Sequence, residues 1–330
     1  MKSTLKKTQL ENYSDVTPDL NNKSLTSFFG NFTAEIINQY NLVEIALAVA
    51  NQVFLNRTEI EKLSSVPLSL MLRIAETANN LHFRDHQNII NPIIYFDLPN
   101  SQDAHTYEEA SNKIATSLQN IKATELFFKF SSFKTREDFL LIGNALKLIN
   151  GARILIDKND IADINKNSPF LTKPYLLEVN CLEDYKTFVN NNFEINYTIS
   201  IHAENNSLSQ RANDFLTSLY QLRELSTQNL RRITVELPYV LDKNLDDMKS
   251  TLGLETLQYL IFCRLAFPEV KEISVSIGKI GLKLGKTALL FGATNLGFAA
   301  IDETTANFLS LPCYQSVIEE LNQDVEHFLE

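Results

Sequence analysis

Two residues near the middle of the chain have the chemistry of a proton-transfer pair. His202 and Glu204 follow directly on the apolar run EINYTISIHA. An imidazole titrates near neutrality and a neighbouring carboxylate can take or return a proton, so the pair suits general acid–base work. The same place, at the end of an apolar run, is held by Asp97, Lys129, Ser131, Asp157, Asp160, Glu236, Tyr239, Ser276 and Asn295. Of these, Lys129 and Asp97 join His202 and Glu204 as acid–base candidates. Ser131, Asp160 and Asn295 are candidates for holding a cofactor or ligand. Each can equally be a polar strand end satisfied by loop hydrogen bonds, and no Ser/His/Asp or Cys/His constellation can be assembled from sequence.

Three other patterns lead away from chemistry. The segment GKIGLKLGKTALL contains Gly285-Lys286-Thr287, the end of a phosphate loop, but Ile280 stands where that motif needs its first glycine. It reads better as a packed helix carrying Leu282, Leu289 and Leu290. His82 and His86 are spaced as metal ligands on a helix, yet Phe83 stands where a metalloprotease requires Glu. A solvated helix end is the better reading, and no metal site is expected. The three cysteines, Cys181, Cys263 and Cys313, lie far apart and form no disulfide or metal spacing. Cys263, between apolar neighbours in YLIFCRLAF, is expected to be a buried thiol, and the other two are expected to be unpaired.

The elements that must position these residues follow from the hydrophobic pattern. After polar residues 1–30, expected to be a loose lead-in, apolar helical spacing over 31–56 and 67–83 predicts N-terminal helices. Pro67 fits the first turn of the second, with Ser64 and Ser65 as cap candidates. From there short apolar runs alternate with helical segments. Strands are expected near 89–97, 124–130, 152–157, 175–179, 194–202, 232–238, 272–277 and 296–301, each followed by a crossover long enough for a helix. Near-continuous apolar strands alternating with helices indicate a parallel sheet, and about eight such units predict an α/β fold closed into a TIM-like (β/α) barrel. An open doubly wound sheet is the alternative, but no Gly-rich fingerprint follows the first strand. The barrel with its leading helices (31–86) is expected to form one domain over 31–330.

Composition removes several function classes. With 44% hydrophobic residues, 21% charged residues and a net charge of −10, the chain has globular composition and no basic excess for nucleic acid. Arg231-Arg232 reads as the start of a strand. No apolar run approaches the ~20 residues of a membrane span, and no apolar segment follows the basic N-terminal residues. A cytoplasmic protein is expected.

The last third of the chain carries a more specific pattern. The phrases RLAFPEV, LLFGATNLG and IDE resemble, in order and spacing, the radical S-adenosylmethionine (SAM) family of the futalosine route to menaquinone. That family comprises aminofutalosine synthase and dehypoxanthine futalosine cyclase, with the related deazaflavin synthase. Upstream, YTISIHAENNSLSQRANDFL is similar to the family's Gly-His-x-Glu-Thr segment and following helix. Arg211 matches there, Glu204 takes the place of the histidine, and Asn206-Ser207 replaces Glu-Thr. The resemblance covers roughly residues 40–304, and implies a radical SAM-type barrel.

The departures from the family fall on its cofactor machinery. Its first strand runs into a CxxxCxxC loop whose thiolates hold a four-iron cluster and leave one iron open for SAM. Here that stretch reads YFDLPNSQDAHTYEE, and no cysteine precedes Cys181. The family's glycine pair after the second strand is replaced by Phe130 and Ser131. Its glycine-rich segment near the fourth strand has no counterpart in NKNSPFLTKPYLLEV. Asp160 stands where the family has a SAM-binding Glu. The expectation is a barrel without iron–sulfur cluster or SAM, acting as a pseudoenzyme that binds a small molecule in its mouth or partners an enzyme of the same pathway. A metal-free enzyme using the four acid–base candidates, and an atypical menaquinone enzyme, are the alternatives. A mouth filled by Phe96, Phe128 and Phe130 would separate binder from enzyme.

Overall fold

The computed structural model describes residues 39–40, 42–50, 53–83, 92–96, 126–130, 152–157, 175–189, 193–200, 207–236, 246–276 and 282–300, with a few isolated positions besides. Eight strands form the frame: β1 (Pro92–Phe96), β2 (Leu126–Phe130), β3 (Ala152–Asp157), β4 (Tyr175–Val179), β5 (Glu194–Ser200), β6 (Leu230–Glu236), β7 (Glu272–Ser276) and β8 (Asn295–Ala300). All neighbours pair in parallel and in chain order, and β8 pairs back to β1 through Pro92 with Phe298, closing the barrel. Each expected apolar run holds one strand. Helices α1 (Val43–Ala50), α2 (Arg57–Leu63) and α3 (Leu68–Phe83) precede the barrel. Among the described residues α4 (Leu182–Phe188), α5 (Leu208–Arg223), α6 (Asp246–Ala266) and α7 (Leu282–Leu290) lie between its strands.

Strand pleat sorts the residues into two sets. Ile195, Tyr197 and Ile199 of β5 belong with Ile233, Val235, Ile273 and Val275 to the main apolar core, which includes the helices. The alternate set, Asn196 and Thr198 of β5, Arg232 of β6, Glu272 and Ser274 of β7, and Asn295 of β8, is buried and polar. These are the barrel-facing positions, since period-2 alternation puts them opposite the helix-facing ones. Branched apolar residues ordinarily fill such an interior. Here Leu155 and Leu176 form a separate apolar pair, and the β5–β8 side is polar.

Helix α6 explains the apolar run YLIFCRLAF. Tyr259, Leu260, Ile261, Phe262, Cys263, Leu265 and Ala266 are all buried, because the helix lies between β6 and β7 on one side and α2 and α3 on the other. A helix apolar on every side is one enclosed on every side. Cys263 is a free buried thiol whose pKa is pushed up by burial. Arg264, in the last turn, sends Nη1 to the Val270 carbonyl at 2.9 Å.

Two sequence expectations are corrected at the N-terminal helices. The short helix α2 was not expected; its signal is Asn56 followed three residues on by Glu59, which form a capping box. Asn56 Oδ1 accepts from Glu59 N–H at 3.1 Å and Glu59 Oε2 accepts from Asn56 N–H at 2.6 Å. Ser64 and Ser65 close α2 rather than open α3: Ser64 is its C-cap and the Ser65 hydroxyl donates to the Lys62 carbonyl. Asn56→Ala should cost about 1 kcal/mol, read as a lowered melting temperature. Conversely, Gly285-Lys286-Thr287 lies within α7, as the packed-helix reading requires.

The chain turns from α7 into β8 at Gly292, with φ 109°. A Cβ there would lie 3.0 Å from the Leu260 carbonyl oxygen and 3.1 Å from Arg264 Cβ. Both the backbone conformation and the close approach require glycine. The first glycine of the LLFGATNLG phrase, Gly292, is therefore fixed by packing of this turn against α6.

Candidate functional site

The two ends of the barrel carry different chemistry. At the N-terminal end lies an ion cluster built on Glu272, the first residue of β7. Arg232 Nε donates to Glu272 Oε2 at 2.7 Å and Arg231 Nε to Glu272 Oε1 at 2.8 Å. Arg231 Nη1 reaches Glu194 Oε2 at 2.9 Å, and Arg153 Nη1 reaches the same oxygen at 2.7 Å. Arg231-Arg232 thus does start a strand, and its guanidiniums tie β5, β6 and β7 together at the base.

Burial pushes the Glu272 carboxyl up, but the guanidiniums of Arg232 and Arg231 outweigh it and hold its pKa below the ordinary value. Glu194 moves the other way, raised by burial and by the Glu272 carboxylate. A lowered folded pKa contributes stability that is present above the unfolded value and lost as pH falls through the folded one. For Glu194 the sign reverses, its contribution being lost as pH rises through its raised value; its side chain is 45% exposed, so Glu272 dominates. Stability in urea should therefore fall on acidification below about pH 4, and Glu272→Gln should flatten that slope.

Asn295 belongs to this base. It is the first residue of β8, fully buried, and its Nδ2 donates to Glu272 Oε2 at 3.1 Å. The expectation that it holds a ligand at the mouth is corrected: a strand's first residue lies at the opposite end from its C-terminal mouth.

At the C-terminal end, register decides which residues can meet. Lys129 pairs with Tyr95, Asp157 with Glu178, and Ser200 with Glu236. Phe127 pairs with Arg153 and Phe128 with Ile154, a member of the main core. Register therefore puts Lys129 and Asp157 in the same alternating set as Leu155 and Leu176, and Phe96, Phe128 and Phe130 in the set of Ile154. Among the described residues, Glu178, Ser200 and Glu236 belong to the set of Leu155 and Leu176 at the C-terminal ends of their strands. Glu178 escaped the sequence reading, although the signal was present as the one charged residue of YLLEV. Ser200 Oγ donates to Glu236 Oε2 at 3.1 Å, bridging β5 and β6 at the rim. Asp97, Ser131, Asp160, Tyr239, His202 and Glu204 lie outside the described residues, as do Cys313 and His86.

Beside this rim, a cavity of about 330 Å³ wraps the end of β5 and the first turns of α5. Asn180, Tyr197, Thr198, Ser200, Arg211, Asp214, Phe215 and Ser218 are among its walls. Ser207 caps α5, its Oγ accepting from Gln210 N–H at 3.3 Å, which sets Arg211 and Asp214 in the first two turns. Arg211 is held by Glu255 of α6 through two contacts, Nε to Oε2 at 3.0 Å and Nη2 to Oε1 at 2.5 Å. This bidentate, half-buried pair raises the Arg211 pKa, chiefly through the hydrogen bond to Glu255. The arginine that carries part of the family resemblance thus fastens α5 to α6 at the cavity wall.

No family model matches the chain, and no curated protein matches it. Solved structures do. Methylornithine synthase (PylB) superposes with a TM-score of 0.55 at 15% identity, covering 86% of this chain and 99% of that one. The FeFe-hydrogenase maturase HydG from Carboxydothermus hydrogenoformans gives 0.55 at 10% identity, covering 98% and 93%. A second HydG structure gives 0.53 at 12% identity, over 82% and 72%. The fold is a closed (β/α) barrel shared with these structures. Identity this low carries the fold and not the chemistry.

The residues present do not fit the cluster that the sequence resemblance implies. A four-iron cluster of that type needs three thiolates on the loop after β1. The chain has no cysteine anywhere between Phe96 and Leu126. Cys181 stands before α4, on the far side of three further strands, with Sγ donating to Asp184 Oδ2 at 2.8 Å, and Cys263 is fully buried in α6. Among the described residues, no three His, Cys, Asp or Glu side chains are grouped to hold a metal ion, and no helix is long and apolar enough to cross a membrane.

Proposed function

We propose that this chain is a radical SAM-type barrel that has given up cluster chemistry and works as a binding protein, a pseudoenzyme related to the futalosine enzymes of menaquinone synthesis. The observation that carries the reading is the placement of its cysteines. Cys181 and Cys263 sit on separate elements, and the loop that should carry three thiolates has none. Iron–sulfur cores are held chiefly by cysteine thiolates. Support for the futalosine relationship comes from RLAFPEV and LLFGATNLG, the second of which has a glycine demanded by the backbone at Gly292. The ligand-binding role draws on the polar rim and the cavity beside β5, and a partner enzyme of the same pathway is the other binding role.

The test is catalytic. After anaerobic incubation with iron, sulfide, reductant and SAM, no 5′-deoxyadenosine should form above the level of a protein-free control. Its SAM-dependent formation by the purified chain would overturn the proposal.

A further inference from the structure

We infer that the barrel lumen, on its β5–β7 side, binds a small molecule through a carboxamide-type edge, one hydrogen-bond donor beside one acceptor. This rests on the binding-protein reading above and names the ligand class that the lumen takes. Thr198 of β5, Thr234 of β6 and Ser274 of β7 share one row of the register and belong to the barrel-facing set. Larger branched side chains ordinarily fill a barrel at such positions. On β3 and β4 the lumen is filled by Leu155 and Leu176, both fully buried. On the β5–β7 side it is not. Thr234 lies midway along β6, between β5 and β7, with Ile233 and Val235 buried in the core that includes the helices, yet it is only half-buried. Its accessible surface therefore opens inward.

The polar groups around Thr234 come as a fixed pair. Thr234 Oγ1 donates to Asn196 Oδ1 at 2.8 Å, bridging β6 and β5. That leaves the Thr234 oxygen able to accept and the Asn196 Nδ2 able to donate. Asn196 is 3% exposed, and among the described residues nothing accepts from its Nδ2. A buried amide donor without a partner is an unmet demand, and here it stands beside an acceptor on the same wall. Reversing the shared proton changes nothing, since the pair then offers the Asn196 oxygen and the Thr234 hydroxyl instead. Ser274, also 3% exposed, adds a hydroxyl of either sense from the next strand.

The ligand class follows from these two atoms and not from the net charge at the mouth. A carboxamide answers both, its carbonyl accepting from Asn196 and its N–H donating to Thr234. A carboxylate has no donor for Thr234, and an ammonium has no acceptor for Asn196. Beneath the pair, Arg232 and Glu272 already neutralise one another.

Saturation-transfer NMR on the full chain tests this with matched probes: benzamide against benzoate and benzylamine, and acetamide against acetate. Transfer to at least one amide is expected, stronger than to its charged counterparts. Thr234→Val keeps the shape and removes the hydroxyl, so it should weaken the amide about fivefold, the loss of one neutral hydrogen bond. Thr198→Val is the control. Its hydroxyl is buried without a protein partner, so that variant should bind the amide as the parent does and melt no lower. Transfer to neither amide, a charged probe preferred over its amide, or equal effects of the two variants would overturn the inference. Iron analysis of the same samples separates the two ideas. Bound iron would sink the cluster-less reading, whereas iron-free protein that ignores both amides would sink only this one.

Discussion

Replacing Glu272 with Gln should lower the unfolding free energy by about 3–5 kcal/mol, because it removes the charge that compensates buried guanidiniums. The Arg232 side chain is only 2% exposed and meets Glu272 Oε2 through Nη2 at 2.5 Å, while Arg231 meets the other oxygen. An amide leaves Arg232 charged, desolvated and without its counterion. Urea denaturation at neutral pH measures the loss. A double replacement, Arg232→Met with Glu272→Leu, removes both charges at similar volume and should recover most of it, since the cost lies in the uncompensated charge. A single-variant loss below about 1 kcal/mol would show that the base of the barrel does not depend on this pair.

The second large effect is expected at the turn before β8. Gly292→Ala should cost about 1–3 kcal/mol, from a backbone conformation that side chains rarely adopt and from contact with the Leu260 carbonyl. Gly253→Ala is the matching control. It lies in α6, and its Cβ would meet the flexible end of Leu284 at 3.1 Å. A helical Gly→Ala gains up to about 1 kcal/mol, so that variant should melt at or above the parent temperature if Leu284 yields. Two glycine substitutions of opposite sign would establish that the phrase LLFGATNLG is kept for backbone geometry at Gly292.

The strands were legible because a parallel barrel buries both faces, and each strand then reads as a short apolar run bounded by polar segments. YLLEV and RILID matched the observed β4 and β3 to the residue or within one. What such a run conceals is its phase. In TELFFKF nothing distinguishes Phe127 from Phe128, and only register with Arg153 and Ile154 shows which position faces the barrel. The same blindness hid Glu178. Arg231-Arg232 was legible as a strand start but not as a buried cluster, because its partners Glu194 and Glu272 come from strands 37 and 40 residues away. Asn295 was misplaced for a related reason: its strand begins one residue earlier than expected, at the base. Helix α2 is short and held by a cap, a weaker signal than an apolar face. The cavity beside β5 could not be read at all, since it joins Asn180, the end of β5 and α5 only after folding.

All of this turns on whether the barrel still builds a cluster, and iron content answers that most directly. The purified full chain should be incubated anaerobically with iron and sulfide, desalted, and analysed for iron together with its absorption near 400 nm. With thiolates absent from the loop after β1, the expected result is no iron above background and no charge-transfer band. About four irons per chain with such a band would contradict the account.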